Sequence, residues 1–118
     1  MTHPKTRAIL AVNSAQERAL ASALEHAGFT VTVCRSGTDA LALLSEHSEV
    51  SLLVAHTATP LLRGFELVRR YLDSKRTGRA VLVCANDDAV PIVGHPRLTV
   101  LVEPVSAEAL LAALQPSL

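Results

Sequence analysis

Apolar residues along the chain follow two patterns that alternate with each other. Short, nearly continuous apolar runs of strand length occupy residues 8–12, 50–55, 80–83 and 98–102, and residues 30–33 alternate apolar with polar. Between and after these runs, apolar residues return every three or four positions, which is the period of a helix. Helix starts are indicated by Ser14, Ser36 and Ser106, and a further helix is marked by Phe65, Val68 and Leu72. The pattern therefore predicts five strands interleaved with helices.

This alternation predicts an α/β fold, because strands that alternate with helices form βαβ crossovers and a parallel sheet covered on both faces. Only residues 30–33 read as a strand with a single well-buried face, so the second strand belongs at an edge. These features predict a flavodoxin-like, doubly wound sheet of five parallel strands in the order 2-1-3-4-5. Functional residues of such sheets lie at the carboxyl ends of the strands.

The stretch between the fourth and fifth strands predicts little helix. Residues 86–97 contain Pro91, Gly94 and Pro96, and a proline inside a helix costs about 3 kcal/mol. We therefore expect the fourth helix of the fold to be short or absent. Val90, Ile92 and Val93 then either form a small exposed apolar patch or cover the fourth strand.

Length and composition limit the class of protein. The chain has 118 residues, which predicts a single domain over residues 1–118. Eleven basic residues balance eleven acidic ones and only three residues are aromatic, so the composition argues against nucleic-acid binding by this domain. No apolar run reaches the length of a membrane span and the N-terminus does not resemble a signal peptide, so we expect a cytoplasmic protein without membrane contact.

The two cysteines do not predict a disulfide or a four-cysteine metal site. Cys34 and Cys84 lack CxxC spacing and end the second and fourth strands. In the predicted order these strands are three spacings apart, roughly 14 Å, whereas a disulfide needs Cα atoms within about 7 Å. We expect two reduced thiols.

Several framework positions resemble the receiver domain of two-component response regulators over essentially the whole chain. The matching segments are residues 9–12, 27–31 and 37–41, Pro60 with Gly64, and residues 103–104. The resemblance implies a signalling context and a protein partner, which is a kinase, another receiver or an output domain. It leaves a homodimer open.

The polar signature residues of that family are replaced here. Asn13 and Ser14 stand where the family has an acidic pair, and His56 stands at the phosphoacceptor aspartate. Cys84 replaces a threonine or serine, and Glu103 replaces a lysine. An acyl phosphate needs a carboxylate nucleophile, and a lysine stabilises the transferring phosphoryl group by its charge. The sequence thus predicts a degenerate pseudo-receiver with no catalytic residues and no cofactor.

Each of these positions also has a structural interpretation. Ser14 is expected to cap the first helix, Asn13 to bond loop backbone and Cys84 to be a small buried residue. His56 has three interpretations: it fills the former pocket, it pairs with Glu103, or it forms a transition-metal site with Cys84 and Glu103.

Three functional hypotheses follow. The first is a non-enzymatic pseudo-receiver that acts through protein–protein interaction and is not switched by aspartyl phosphorylation. The second is a small-ligand or zinc-type metal sensor that uses His56, Cys84 and Glu103. The third is a phosphotransfer protein that carries phosphohistidine at His56, which the negative charge of Glu103 opposes.

Overall fold

Helices and strands alternate through most of the molecule. The computed structural model describes residues 6–12, 17–46, 50–57, 61–74, 78–84, 95–103 and 105–114. The strands are β1 (Thr6–Ala11), β2 (Phe29–Val33), β3 (Val50–His56), β4 (Arg79–Cys84) and β5 (Leu98–Val102). The helices in these ranges are α1 (Glu17–His26), α2 (Gly37–Glu46), α3 (Gly64–Ser74) and α4 (Ala107–Ala113).

The strands form one parallel sheet in the order β2-β1-β3-β4-β5, which confirms the predicted fold class and strand order. At one edge, β2 is half-buried with its last residue exposed, as its mixed sequence predicts. At the other edge every residue of β5 is half-buried, although its sequence is as apolar as that of a central strand. The burial of β5 therefore differs from the burial that its composition alone suggests.

Two apolar layers cover the sheet. One layer joins α1 and α4 to alternate residues of the strands, with Leu20, Leu24 and Leu110 at its centre. The other joins α2 and α3 to the remaining strand residues, with Leu44, Leu67 and Tyr71 among its members. Successive residues of a strand point to opposite faces, so neighbours in one strand belong to different layers.

Serine side chains cap two of the helices where the sequence indicates a start. Ser36 Oγ accepts from the backbone N–H of Asp39 at 3.1 Å, and Ser106 Oγ accepts from Ala109 N–H at 3.0 Å. Each bond satisfies one of the N–H groups that a first helical turn leaves without an intrahelical partner. The corresponding prediction for Ser14 lies outside the described residues.

The predicted loss of the fourth helix concerns residues 86–97, of which 86–94 lie outside the described residues. The chain is described again at His95, whose carbonyl accepts from Leu98 N–H at 3.0 Å in a turn that leads into β5. Cys34 and Cys84 are both buried and free, and the observed strand order places their strands three spacings apart. Among the described helices, none combines the length and the apolar character needed to cross a bilayer.

Candidate functional site at the carboxyl end of the sheet

His56 is the last residue of β3 and is only 7% exposed. It lies in register with Val83 of β4, and the next residue, Thr57, donates its N–H to the carbonyl of Val83 at 2.9 Å. The first turn of α3 returns directly onto this position, because a Cβ added to Gly64 would overlap the His56 carbonyl. The imidazole is thus held at the carboxyl end of the sheet by the strand before it and by the helix after it.

Glu103 follows β5 and reaches across β4 to His56. Its backbone N–H donates to the carbonyl of Cys84 at 2.8 Å, which continues the β4–β5 pairing by one residue. Its side chain is 25% exposed, and its Oε1 lies 2.8 Å from His56 Nε2. A carboxylate oxygen only accepts hydrogen bonds, so Nε2 carries the proton and donates it to Glu103. The second interpretation of His56, the pair with Glu103, is therefore present in the structure.

Cys84 ends β4 between these two residues but does not join them. Val83 packs in the α1–α4 layer, whereas Cys84 is fully buried in the α2–α3 layer. Successive side chains of a strand point to opposite faces, and Val83 is the residue in register with His56. The Cys84 thiol therefore points to the face of the sheet opposite to Val83. Burial raises the pKa of the Cys84 thiol, which disfavours the thiolate that a metal would need.

This placement disagrees with the metal-sensor hypothesis. In the part of the chain that the structure describes, no three His, Cys, Asp or Glu side chains form a group that could hold a metal ion. The proposed ligand set of His56, Cys84 and Glu103 therefore supplies a pair rather than three converging ligands. The two remaining candidates, Asn13 and Ser14, lie outside the described residues.

The connection from β3 to α3 holds a feature that the sequence did not indicate. Leu61 has φ of 71° and is 82% exposed, although left-handed backbone costs a non-glycine residue roughly 1–2 kcal/mol. The next residue, Leu62, packs so closely on the start of α2 that a Cβ at Gly37 would overlap its carbonyl. Gly37 and Gly64 are the sequence signal for these close approaches, but neither predicts the outward direction of Leu61.

Comparison with solved structures places this geometry among known folds. A response regulator receiver protein from Sinorhizobium medicae is 21% identical with a TM-score of 0.82, and the match covers 93% of this chain and 91% of the other. The signal receiver domain of an HD-domain-containing protein from Pseudomonas fluorescens is 22% identical with a TM-score of 0.80, covering 97% and 87%. The chemotaxis response regulator CheY4 of Vibrio cholerae is 21% identical with a TM-score of 0.77, covering 95% and 98%.

These likenesses establish the fold: the chain has the architecture of CheY-like receiver domains, the class of signalling domain that its sequence resembles. No family model and no curated protein gives a significant match to the sequence. These structures are 18–22% identical to this chain, and at that identity they show its fold alone. The chemistry of the site has to be argued from its own residues.

Proposed function

We propose that this chain is a non-enzymatic signalling module of the two-component type, a pseudo-receiver that acts through protein–protein contacts and is not switched by aspartyl phosphorylation. The observation that carries the proposal is the 2.8 Å contact between His56 Nε2 and Glu103 Oε1. By the resemblance, these two positions hold the phosphoacceptor aspartate and the lysine of an active receiver. Here a basic and an acidic side chain occupy them in the reverse order.

The charge at this end of the sheet opposes a phosphoryl group. A phosphate about 4 Å from the Glu103 carboxylate would be repelled by about 1 kcal/mol in water and by about 4 kcal/mol at an effective dielectric constant of 20. One structural neighbour, a response regulator protein from Burkholderia pseudomallei, has a phosphorylated aspartic acid and a calcium ion. The end of β3 in this chain offers an imidazole whose Nε2 already donates to a carboxylate.

Exposed apolar side chains support the interaction mode. Among the described residues, Leu61 and Val33 are the large hydrophobic residues that are exposed, at 82% and 42%. Val33 is the last residue of β2 and Leu61 lies in the connection that follows β3, so both come at or after the carboxyl end of a strand. An exposed leucine in left-handed backbone improves neither packing nor local conformation, and contact with a partner protein gives it a use.

The proposal is tested with phosphodonors on the purified chain. We expect acetyl phosphate with magnesium, and beryllofluoride with magnesium, to leave the amide NMR spectrum and the intact mass unchanged. An active receiver in a parallel tube controls for the donor. Shifts centred on His56 and Glu103, or the added mass of one phosphoryl group, would overturn the proposal. A phosphoryl group found on His56 would instead support the phosphohistidine hypothesis.

A single substitution gives a second arm of this test. His56→Asp restores the carboxylate but places it beside Glu103, without a lysine. Residues that act as one unit are strongly non-additive, so we expect His56→Asp alone to remain unmodified by acetyl phosphate. The matched variant His56→Asp with Glu103→Lys restores both members. Uptake of phosphate by His56→Asp alone would show that the site is not degenerate in the way proposed.

A further inference from the structure

The edge strand β2 lies in a part of the chain that the structure describes without a gap. Residues 17–46 contain α1, β2, α2 and the connections between them, so the two segments that lead into and out of β2 are seen in full. On one side β2 pairs with β1, and no other described strand pairs with its outer side. Val33, its last residue, is 42% exposed. Among the described residues, the outer side of β2 is therefore an open sheet edge.

The direction of one hydrogen bond shows which backbone groups of β2 point outward. The N–H of Cys34, directly after the strand, donates to the carbonyl of Leu10 in β1 at 2.9 Å. The backbone groups of successive strand residues point alternately to one side and to the other. Those at the even positions of β2 therefore point towards β1, whereas those of Val31 and Val33 point outward. A strand that pairs with this edge meets their donors and acceptors.

The side chains of β2 contain none of the features that usually keep an edge strand from pairing. Such features are charged side chains, prolines and bulges. The sequence of residues 29–33 is FTVTV, which consists of aromatic and β-branched residues that favour strands. The register of β2 on β1 is continuous, whereas the register of β1 on β3 shifts between Arg7 and Ala8. The strand is thus regular, uncharged and suited to pairing on its outer side.

The sequence of β2 is also nearly symmetric about Val31, which one threonine precedes and another follows. A two-fold axis through this residue, perpendicular to the sheet, sets Val31 opposite itself and Thr30 opposite Thr32 of the second copy. Because the backbone groups of Val31 point outward, its pair is one in which the two residues exchange both N–H···O bonds. Cross-strand threonine pairs also stabilise sheets. The strand is therefore complementary to an antiparallel copy of itself.

The apolar side chains of β2 and the charges that flank it agree with this arrangement. Phe29 and Val31 are half-buried members of the α1–α4 layer, and alternation puts Val33 on the same face. In the antiparallel pair Val33 lies opposite Phe29 of the second copy and gains an apolar neighbour. Glu25 before the strand and Arg35 after it are both exposed and form no ion pair with another described residue. The two-fold arrangement brings the end that carries Glu25 to the end that carries Arg35.

We propose that β2 pairs antiparallel with β2 of a second copy of this chain, which joins the two sheets into one dimer about a two-fold axis at Val31. Two-fold dimers are the commonest homo-oligomers. The proposal goes beyond the signalling role proposed above and is independent of it, because association is measured on the purified chain without a phosphodonor. The edge that pairs is at the far side of the sheet from β5.

Charge at the threonine pair tests the dimer by analytical ultracentrifugation between roughly 10 µM and 1 mM. We expect the wild type to form dimers and no larger species. Two double variants, Thr30→Lys with Thr32→Lys and Thr30→Glu with Thr32→Glu, should each associate at least about tenfold more weakly, because like charges then lie directly opposite each other. An equimolar mixture of the two should form a heterodimer, which also shows that both are folded. Ser74→Lys with Ala112→Lys is the matched control, because it adds two charges at exposed positions of α3 and α4.

Disulfide cross-linking tests the register of the two strands. Val31→Cys should form a disulfide-linked dimer on oxidation, because the Cα atoms of a hydrogen-bonded pair lie roughly 5.5 Å apart, within disulfide reach. Val33→Cys should not, although position 33 is the more exposed, because its two copies lie four residues apart along the paired strands, roughly 14 Å. The wild type, with Cys34 and Cys84 buried, gives the background.

The outcomes separate this dimer from other modes of association. A wild type that stays monomeric overturns the proposal, and so does one that associates beyond a dimer. Double variants that associate as well as the wild type, or a mixture that stays monomeric, also overturn it. Val31→Cys that cross-links no faster than Val33→Cys contradicts the register. A heterodimer from the mixture, together with a disulfide specific to position 31, establishes the pairing.

Discussion

The two faces of the sheet are built from different kinds of residue. In the α1–α4 layer every buried member is an alanine, valine or leucine. The α2–α3 layer buries Tyr71 and both thiols, Cys34 and Cys84, among its aliphatic residues. A layer of aliphatic residues depends on buried area and shape, whereas buried polar atoms must also find partners. We therefore expect the α1–α4 face to tolerate substitution of its buried residues better than the α2–α3 face does.

Specific contacts on the α2–α3 face support this difference. Tyr71 is 1% exposed and donates its hydroxyl to the carbonyl of Val50 at 2.9 Å. The starts of α2 and α3 both approach backbone so closely that only glycine fits at positions 37 and 64. The His56–Glu103 pair lies at the carboxyl end of the sheet on the aliphatic α1–α4 face, because His56 is in register with Val83, which belongs to that layer.

The largest effect on stability is expected when a glycine on the α2–α3 face is replaced by alanine. In Gly64→Ala the new Cβ overlaps the backbone carbonyl of His56, which has no rotamer by which to move away. We expect a loss of about 3 kcal/mol in the free energy of unfolding, measured by urea denaturation. The overlap also displaces His56, so the amide signals near Glu103 should shift.

Gly28→Ala is the control for this substitution. Gly28 follows α1 with φ of 102°, and a Cβ built there meets nothing within 4 Å. Only the backbone conformation opposes alanine, so we expect a loss of about 1 kcal/mol. Equal losses for the two variants would show that close packing at α3 contributes nothing beyond conformation.

The second effect is a loss of stability in alkali that arises from buried groups of the α2–α3 layer. Burial, and then the charge of Asp39, raise the pKa of Cys34 from 9.0 to about 11. Between pH 9 and 11 the unfolded thiol loses its proton while the folded thiol keeps it, so the folded state binds more protons. The contribution of the protonated Cys34 thiol to the free energy of unfolding is therefore fully present below about pH 9. It is lost, by about 2 kcal/mol, as pH rises towards 11.

Urea denaturation across this pH range measures the effect. Cys34→Ala should make the fall of stability with pH shallower without abolishing it, because burial also raises the pKa of Cys84 and of Tyr71. Leu24→Ala, a cavity in the aliphatic layer, should lower stability but leave the slope as in the wild type. A slope that Cys34→Ala leaves unchanged would assign the alkaline loss to other groups.

The contrast between the faces also explains what the sequence could predict. Strand order, edge position of β2 and the caps at Ser36 and Ser106 follow from local patterns, and the structure confirms them. The exclusion of Cys84 from the site follows from strand register, since one residue decides which face a side chain joins. Register depends on how strands from distant parts of the chain align, which a single sequence does not state.

The left-handed backbone of Leu61 was beyond prediction for a related reason. Leucine gives no sign of a left-handed conformation, and the contact beside it, Leu62 on Gly37, joins residues that are distant in the sequence. Polar residues at strand ends, in contrast, were predictable, because the carboxyl ends of parallel strands meet at one edge of the sheet. The His56–Glu103 pair is the part of the candidate site that this argument anticipated.

The third effect is smaller and tests the polar bond inside the α2–α3 layer. Tyr71→Phe removes the hydroxyl that donates to the Val50 carbonyl, and leaves a buried acceptor with one partner fewer. We expect a loss of about 1 kcal/mol in the free energy of unfolding. Ser51→Ala is the control, because its hydroxyl is half-buried and its bond to the Arg7 carbonyl is longer, at 3.3 Å. A Tyr71→Phe variant as stable as the wild type would remove the polar contrast between the faces.

The smallest effect concerns the His56–Glu103 pair itself. In a double-mutant cycle with His56→Gln and Glu103→Gln, we expect a coupling of about 0.5 kcal/mol, because solvent screens a carboxylate that is 25% exposed. The coupling should weaken in high salt, because mobile ions screen the two charges. A cycle between His56 and the exposed Glu108 should give none. A coupling of zero for Glu103 would show that the contact does not persist in solution, whereas one above about 2 kcal/mol would describe a dry pair that belongs to the core rather than to an open end of the sheet.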